Sequence, residues 1–448
     1  MAVQLNVKSG LKSIVPILIS LAGAGVLAFL TQVLLGHALT VNDFGILSTA
    51  LSIAVIITAA IGFGIPSVWL LVFGQEGWQG FRWVRKSLKF LPLWGLFVLA
   101  ISWGGLVWLE GDSRLSSLLW WLKVMVVMQV MVELLGAKLQ LEARYMALSW
   151  WQILPHLGRL CVAVALYVSG VASADTVVKG YCAASLILIA VSGYSLLSLS
   201  PQHMRLAGHQ QLSATLPEMS PAATSYLGLV GLAWPYAATA FLVMVYGRIE
   251  IVFLGSIISP RAAGIYSIAI AFLLVAFLVP QAVYQKFLLP KIHRWFHSDW
   301  SKFVNVYRFG CAAMAILGIV GTLVTYWLGE AFVHLFFGEK YKESGHILSI
   351  LAICILLRFL SSSVGIALVS GEYRKQRVYC QAFATLISVP SAYVLISLYG
   401  LDGAIINKIV TEFTLLASYS YASSRYVLGA DAWSGWSLKL NTSINRNP

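Results

Sequence analysis

The sequence predicts an all-α polytopic membrane protein: twelve transmembrane helices arranged as two parallel-repeat six-helix bundles. Three observations lead there. Hydrophobic residues make up 59% of the chain and charged residues only 10%, against about 25% charged residues in a soluble domain. Apolar runs of about 20 residues, the length that crosses a bilayer core of about 30 Å, recur with little between them. A turn near the start, Leu35 to Ala50, is written again 219 residues later.

The first span, 14–35, follows Lys8 and Lys12. Ala22-Gly23-Ala24 within it imitates a signal-peptide cleavage site, but the apolar run continues well past the tripeptide, as a retained span requires. Spans two and three, 46–73 and 90–109, flank a basic segment with Arg82, Arg85, Lys86 and Lys89. Spans four to six cover 117–136, 148–169 and 180–199. The stretch SPQHMRLAGHQQLSATLPEMSPAATSY, 200–226, is the one long polar interruption, and its Pro201, Pro217 and Pro221 mark a linker. Spans seven to twelve are then 227–256, 264–289, 304–328, 346–369, 378–399 and 402–424. The expected organisation is an N-terminal bundle, 1–199, a cytoplasmic linker, 200–226, and a C-terminal bundle with a cytoplasmic tail, 227–448.

Short cytoplasmic loops keep an excess of Lys and Arg, which sets the orientation. With the N-terminus inside, 20 of the 30 basic residues fall in inner segments, and only Arg114, Lys179, Arg261, Lys340 and Lys342 in outer loops. Both termini are therefore expected in the cytoplasm. The net charge of +13 is mostly this topological signal. Its basic residues are scattered over separate loops, which excludes a nucleic-acid partner and leaves anionic membrane lipids as the secondary one. The five cysteines lie in or beside spans without a C-x-x-C and read as small buried apolar residues. Asn441-Thr442-Ser443 spells a glycosylation acceptor in a tail expected inside, where that reading fails.

The repeated turn reads LGHALTVNDFGILSTA and then LGSIISPRAAGIYSIA. It shares Leu35/Leu254, Gly36/Gly255, Gly45/Gly264, Ile46/Ile265, Ser48/Ser267 and Ala50/Ala269, with Thr40 facing Ser259. The first copy joins spans one and two, the second spans seven and eight. A fainter echo pairs Glu142 and Arg144 with Glu372 and Arg374. Six crossings return the chain to its starting side, so the two bundles would share one orientation. Transporters built from such repeats hold their substrate pathway between the halves and work by alternating access.

Five basic residues lie inside spans: Lys123, Arg159, Arg248, Arg358 and Lys408. A charge at mid-membrane costs at least about 2.5 to 3.5 kcal/mol on insertion scales, so it faces a cavity or a partner. Arg159 and Arg358 lie near the centres of spans five and ten, too deep to snorkel, and are the strongest substrate-binding candidates. A guanidinium group matches phosphate with paired donors in a fixed fork. Arg248 ranks just below them, and Lys123 and Lys408 follow as further substrate-binding candidates, ranked lower because they lie toward the outer ends of their helices where snorkelling suffices. Arg248 and Glu250 are two apart, about 200° around the helix, and cannot pair with each other. Lys408 and Glu412 are four apart on one face and neutralise one another. His156 shares the face of Arg159, as a titrating neighbour or as a hydrogen-bonding member of the bundle. Glu133, Glu250 and Glu412 are the carboxylates available to proton or sodium coupling; no cofactor motif is expected.

Several motifs are set aside. Asp43-Phe44-Gly45 spells the kinase magnesium motif without the other kinase signatures. His293 and His297 have zinc-ligand spacing, but Arg294 stands where a metalloprotease needs glutamate, and no metal site is expected. Trp120-Trp121 and Trp150-Trp151 at span ends fit interfacial belts.

The LG…DFG turn, LQLEARYMALSWWQILPHLGRL after span four, WPYAATAFLVMVYGRIEIVFLGSIISPRAAGIYSIAIAF, QKFLLPKIHR and Gly400-Leu401-Asp402-Gly403-Ala404 together resemble the polysaccharide transporter family. Its members are flippase-like proteins for O-antigen and exopolysaccharide within the multidrug/oligosaccharidyl-lipid/polysaccharide exporter superfamily. The resemblance implies a twelve-helix exporter fold and a polyprenyl-diphosphate-linked glycan turned from the cytoplasmic to the outer leaflet, with polysaccharide polymerase machinery as a partner. Two departures stand out. Ala60-Ile61-Gly62-Phe63-Gly64 lacks the acidic residue common before that glycine, and Glu250 replaces a common aspartate. The rival readings are a multidrug-toxin extruder-type cation antiporter and a membrane-embedded polysaccharide polymerase or ligase. The arginines argue against the first and the short outer loops against the second; the chain is read as a non-enzyme.

Overall fold

The computed structural model describes residues 7–108, 113–200, 204–206, 225–288, 295, 299–369, 373–433 and 436. Among the described residues there is no strand. The expected linker falls almost wholly outside them, as do His293, His297, Glu372 and the tail from 437 onward.

The helices are α1 (Val7–Ala38), α2 (Val41–Gly62), α3 (Ile65–Glu76), α4 (Phe81–Trp108), α5 (Ser113–Leu141), α6 (Tyr145–Ser169) and α7 (Ala174–Leu197). They continue with α8 (Tyr226–Phe253), α9 (Pro260–Pro280), α10 (Trp300–Phe337), α11 (Lys342–Leu351), α12 (Ile353–Val364), α13 (Arg374–Tyr399) and α14 (Leu401–Ser423). Each of the twelve expected spans falls on helix, as lipid demands of any segment that must satisfy its own backbone. By length and apolarity alone the described helices give nine spans, or ten with a bent pair. The difference is physical. Helix runs with little interruption from Val41 to Ser102, merging spans two and three across the basic segment between them, and α14 carries Asn407, Lys408, Glu412 and several hydroxyl residues that lower its apolarity.

Two spans expected to be continuous are not. The second breaks at Phe63 and Gly64, whose φ angles are 44° and 64°. Trp94 satisfies the backbone there: its Nε1 donates to the Ala60 carbonyl at 2.9 Å, a group a continuous helix would pair with the residue 64 amide. The Phe63 ring packs on Phe90 and Trp94, with centroids 5.5 and 5.1 Å away. A Cβ on Gly64 would sit 2.6 Å from that of Tyr236. Gly64→Val combines this clash with a conformation that β-branched residues avoid. It is expected to lower the unfolding free energy by about 2 to 3 kcal/mol, measured as a lower midpoint of thermal unfolding in detergent. The tenth span bends by 46° between α11 and α12, where Thr322 Oγ1 donates to the Ala352 carbonyl at 3.1 Å.

The chain divides into two compact units. The first comprises Met1–Thr31 and Ala50–Met244, the second Gln32–Thr49 and Val245–Pro448. In the first, α5 packs along α7, Trp151 Nε1 donates to the Val132 carbonyl at 3.1 Å, and the buried Trp69 donates to Ser87 Oγ at 2.8 Å. In the second, α13 and α14 form a tight antiparallel pair. Gly403 permits it, since a Cβ there would lie 2.0 Å from the Leu395 carbonyl oxygen.

Both copies of the repeated turn lie in the second unit. The facing Thr40 and Ser259 turn out to be helix caps: their hydroxyls accept from the amides of Asp43 at 3.1 Å and Ala262 at 3.2 Å, so one start signal opens both α2 and α9. Pro260 occupies the first turn of α9, where its missing amide costs nothing. The copies also touch at equivalent residues. The Gly264 amide nitrogen lies 3.0 Å from where a Gly45 Cβ would be, and Ser267 Oγ donates to Ser48 Oγ at 3.1 Å. Contacts between equal residues are the pattern seen beside a two-fold axis, in keeping with a two-repeat architecture.

Candidate functional site

In the second unit the polar core is organised by α14. Asn407, Lys408, Thr411 and Glu412 occupy one broad face of this helix, and all are buried, Glu412 completely. From α12, Arg358 Nη2 donates to Glu412 Oε1, and Lys408 Nζ lies 3.8 Å from the same oxygen. The Arg358 guanidinium also rests over the Phe277 ring at 4.8 Å and the Tyr246 ring at 5.9 Å. One carboxylate thus serves two cations. The Lys408–Glu412 pair is where helical spacing puts it, but Arg358, read from sequence as an anion receptor, already holds an anion of the protein itself.

Glu250 on α8 enters the same core. Its Oε1 accepts from Asn407 Nδ2 at 3.1 Å, while Asn407 Oδ1 accepts from Ser391 Oγ at 2.6 Å. Thr411 Oγ1 donates to Ser388 Oγ at 2.8 Å, which extends the network onto α13. Asn407, Ser388, Ser391 and Thr411 were not singled out from sequence. Their signal is the recurrence of small polar residues at one-turn spacing in spans eleven and twelve, which in membranes marks helices held together by hydrogen bonds. Arg248, two residues before Glu250, differs from the other basic residues of this unit. Among the described residues its guanidinium has no hydrogen bond or ion pair, and the side chain is half-buried.

In the first unit, Arg159 projects from α6 with its guanidinium carbon 6.0 Å from the Tyr181 ring centroid. Among the described residues no carboxylate pairs with it, and its buried Nε has no hydrogen-bond partner. One turn earlier on the same face, the buried Nδ1 of His156 is also without a partner. An unpaired buried cation beside an unpaired imidazole is costly unless something else completes it. Lys123 sits 3.7 Å from the Trp120 ring centroid, a cation–π contact with a residue of the expected interfacial belt. Glu133 on α5 is exposed, and one of its carboxylate oxygens lies 3.7 Å from where a Gly62 Cβ would be, at the break in span two. The nine sequence-derived candidates therefore sort by chemistry. Arg358, Lys408 and Glu412 form an ion-pair set; Glu250, hydrogen-bonded to Asn407, lies within electrostatic reach of Lys408; Arg159, with His156 on its face, and Arg248 make no ion pair with a carboxylate among the described residues; Lys123 lies against Trp120 and Glu133 is exposed.

This all-helical architecture of two repeats is the fold of the transporters of the MOP superfamily. The lipid II flippase MurJ, in an inward closed conformation, superposes with a TM-score of 0.70 at 11% identity, covering 90% of this chain and 86% of its own. An inward-facing multidrug resistance MATE family transporter of the MOP superfamily gives 0.68 at 12% identity, with 90% and 94% covered. A MOP superfamily transporter from Pyrococcus furiosus, described as having a binding pocket of reversed polarity, gives 0.56 at 14% identity, with 92% and 95% covered. No protein-family model matches the chain. In sequence, 164 residues are 27% identical to the capsular polysaccharide biosynthesis protein CapF of Staphylococcus aureus, covering 36% of this chain. The match spans 41% of the length of that relative. The multi-pass transporter fold and the polysaccharide-linked relative agree with the resemblance read from the sequence.

Proposed function

We propose that the protein is a flippase for polyprenyl-diphosphate-linked oligosaccharide. It moves its substrate from the cytoplasmic to the outer leaflet of a bacterial inner membrane by alternating access, for export of O-antigen or exopolysaccharide. The observation that carries this reading is the pair of unpartnered guanidinium groups, Arg159 in one unit and Arg248 in the other. Neither makes a hydrogen bond or ion pair with a carboxylate among the described residues, and a diphosphate or an acidic sugar would supply such a partner through bidentate hydrogen bonds. The polyprenyl tail needs no such receptor, since it can remain in lipid. CapF, a polysaccharide biosynthesis protein, and MurJ, a flippase of a lipid-linked precursor, are consistent with that substrate class. Both termini are assigned to the cytoplasm by the Lys and Arg bias, and the polysaccharide polymerase that receives the glycan is the expected neighbour.

Coupling, in this reading, runs through Glu250. Its carboxylate, held by Asn407 in a cage of hydroxyls, can take a proton or a sodium ion, whereas Glu412 is already neutralised by two cations. The test is reconstitution of the full chain in proteoliposomes loaded with a fluorescent polyprenyl-diphosphate oligosaccharide. Protein-dependent appearance of the glycan in the opposite leaflet is expected. Absence of glycan movement together with efflux of an organic cation would transfer the protein to the drug-extruder reading.

A further inference from the structure

Two carboxylates are buried together in the core of the second unit. Glu250 on α8, 1% exposed, and Glu412 on α14, 0% exposed, lie within electrostatic reach of one another. Such charges are poorly screened away from water, so each needs a cation beside it. The chain itself supplies two. Arg358 donates to Glu412 Oε1, and Lys408 Nζ lies 3.8 Å from that oxygen while staying within reach of Glu250. A lysine toward a helix end can snorkel to water, yet the Lys408 side chain is only 4% exposed. The oxygens about it are of the kind a hard cation takes: Glu250 Oε1 receives the Asn407 amide at 3.1 Å, and Glu412 Oε2 is buried without a hydrogen-bond partner. Tyr266 of α9 and Cys354 of α12 also face these carboxylates, but neither brings a positive charge. Arg248 reaches Glu250 electrostatically from its own helix without forming an ion pair.

We infer that Lys408 is the resident cation of this core: its tethered ammonium takes the place that a sodium ion would need beside Glu250 and Glu412, and the ion that Glu250 exchanges is a proton. The inference deepens the coupling role given to Glu250 above and rests on it. A sodium ion needs a space lined by these oxygens. The ammonium already fills it, and a second cation there would meet a like charge in a poorly screened site. A proton needs no such space. It bonds to a Glu250 oxygen and turns the carboxylate into a neutral acid, while Lys408, four residues from Glu412 on one helix face, keeps that partner. Release of the proton to water restores the carboxylate. A sodium site is thus latent in this core, and cutting back the lysine side chain opens it.

The test compares unfolding midpoints of the full chain in detergent, in sodium chloride and in N-methylglucamine chloride of equal concentration, whose cation is too large for the space. The wild type is expected to melt alike in both salts. Lys408→Ala removes the ammonium and leaves room, and should melt at least about 3 °C higher in sodium. Lys408→Met removes the charge but fills the room, and should be indifferent to sodium. Lys408→Ala/Glu250→Gln takes away one charge of each sign and should lose the sodium response. A wild type stabilised by sodium, a Lys408→Ala variant that ignores sodium or stays unfolded in it, or a sodium response shared by Lys408→Met or kept in the double variant would each overturn the inference. In proteoliposomes a proton gradient, and not a sodium gradient, should drive the wild type. Glycan movement driven by sodium would overturn the role of Lys408 and keep the flippase. A sodium-responsive Lys408→Ala variant of a protein that moves no glycan would keep that role and remove the flippase reading instead.

Discussion

Replacing Glu412 with alanine is expected to destabilise the protein more than any other single change in the second unit, by about 3 to 5 kcal/mol, the cost of stripping one partner from a buried ion pair. Glu412 is fully buried, its two partners Arg358 and Lys408 have side chains only 21% and 4% exposed, and its loss leaves two like charges facing one another in a medium that screens them poorly. Transport should be lost with the fold. Glu412→Gln keeps the shape and one acceptor oxygen and should lie between wild type and alanine. A triple variant with Arg358→Met, Lys408→Met and Glu412→Leu removes every charge at once and should recover most of the stability, because well-packed apolar residues replace buried ion pairs at little net cost. Thermal unfolding in detergent, followed by tryptophan fluorescence, reads all three. An alanine variant that melts with wild type would mean that the three groups are not ionised together.

The second large effect is the converse: Arg159→Ala should cut export about a hundredfold, equivalent to about 3 kcal/mol of lost contact to a desolvated anion, and leave the unfolding midpoint nearly unchanged. Among the described residues no carboxylate depends on that guanidinium for neutralisation: it makes no hydrogen bond or ion pair and lies near the Tyr181 ring. Arg159→Lys keeps the charge but not the fork, and should fall between the two. Arg358→Ala makes the informative contrast, because it should lose stability and export together by exposing Glu412 to a half-empty ion pair. Surface polysaccharide and unfolding midpoint, measured on the same membranes, separate the two behaviours. Full export from Arg159→Ala would end the assignment of that residue to substrate.

What could be read from the sequence followed from interactions that are local or imposed by lipid. The twelve spans are legible because the bilayer demands long apolar runs whose backbone bonds close internally. Helical spacing alone puts Lys408 beside Glu412, and the Thr40/Ser259 match becomes two N-caps because capping is decided within three residues. Long-range partners left no comparable trace. Arg358 reaches Glu412 across 54 positions of chain, and an arginine at mid-span reads alike whether it awaits a ligand or holds a carboxylate. The break at Phe63 is marked in the sequence by Gly62, Gly64 and Pro66, but the unbroken apolar run outweighs them; the strain is supported from α4 by Trp94, 34 residues away from the carbonyl it satisfies. Asn407, the hub of the Glu250 cage, is one polar letter among several in α14, and only its neighbours on α8 and α13 give it a role.

The meeting of Gly45 with Gly264 and of Ser48 with Ser267 bears on ancestry. Equal residues face each other across a two-fold axis in a symmetric dimer of identical subunits, so this covalent chain retains the kind of seam by which two free six-helix proteins would associate. A gene encoding one half twice, with its own linker, would regenerate that seam from a single sequence.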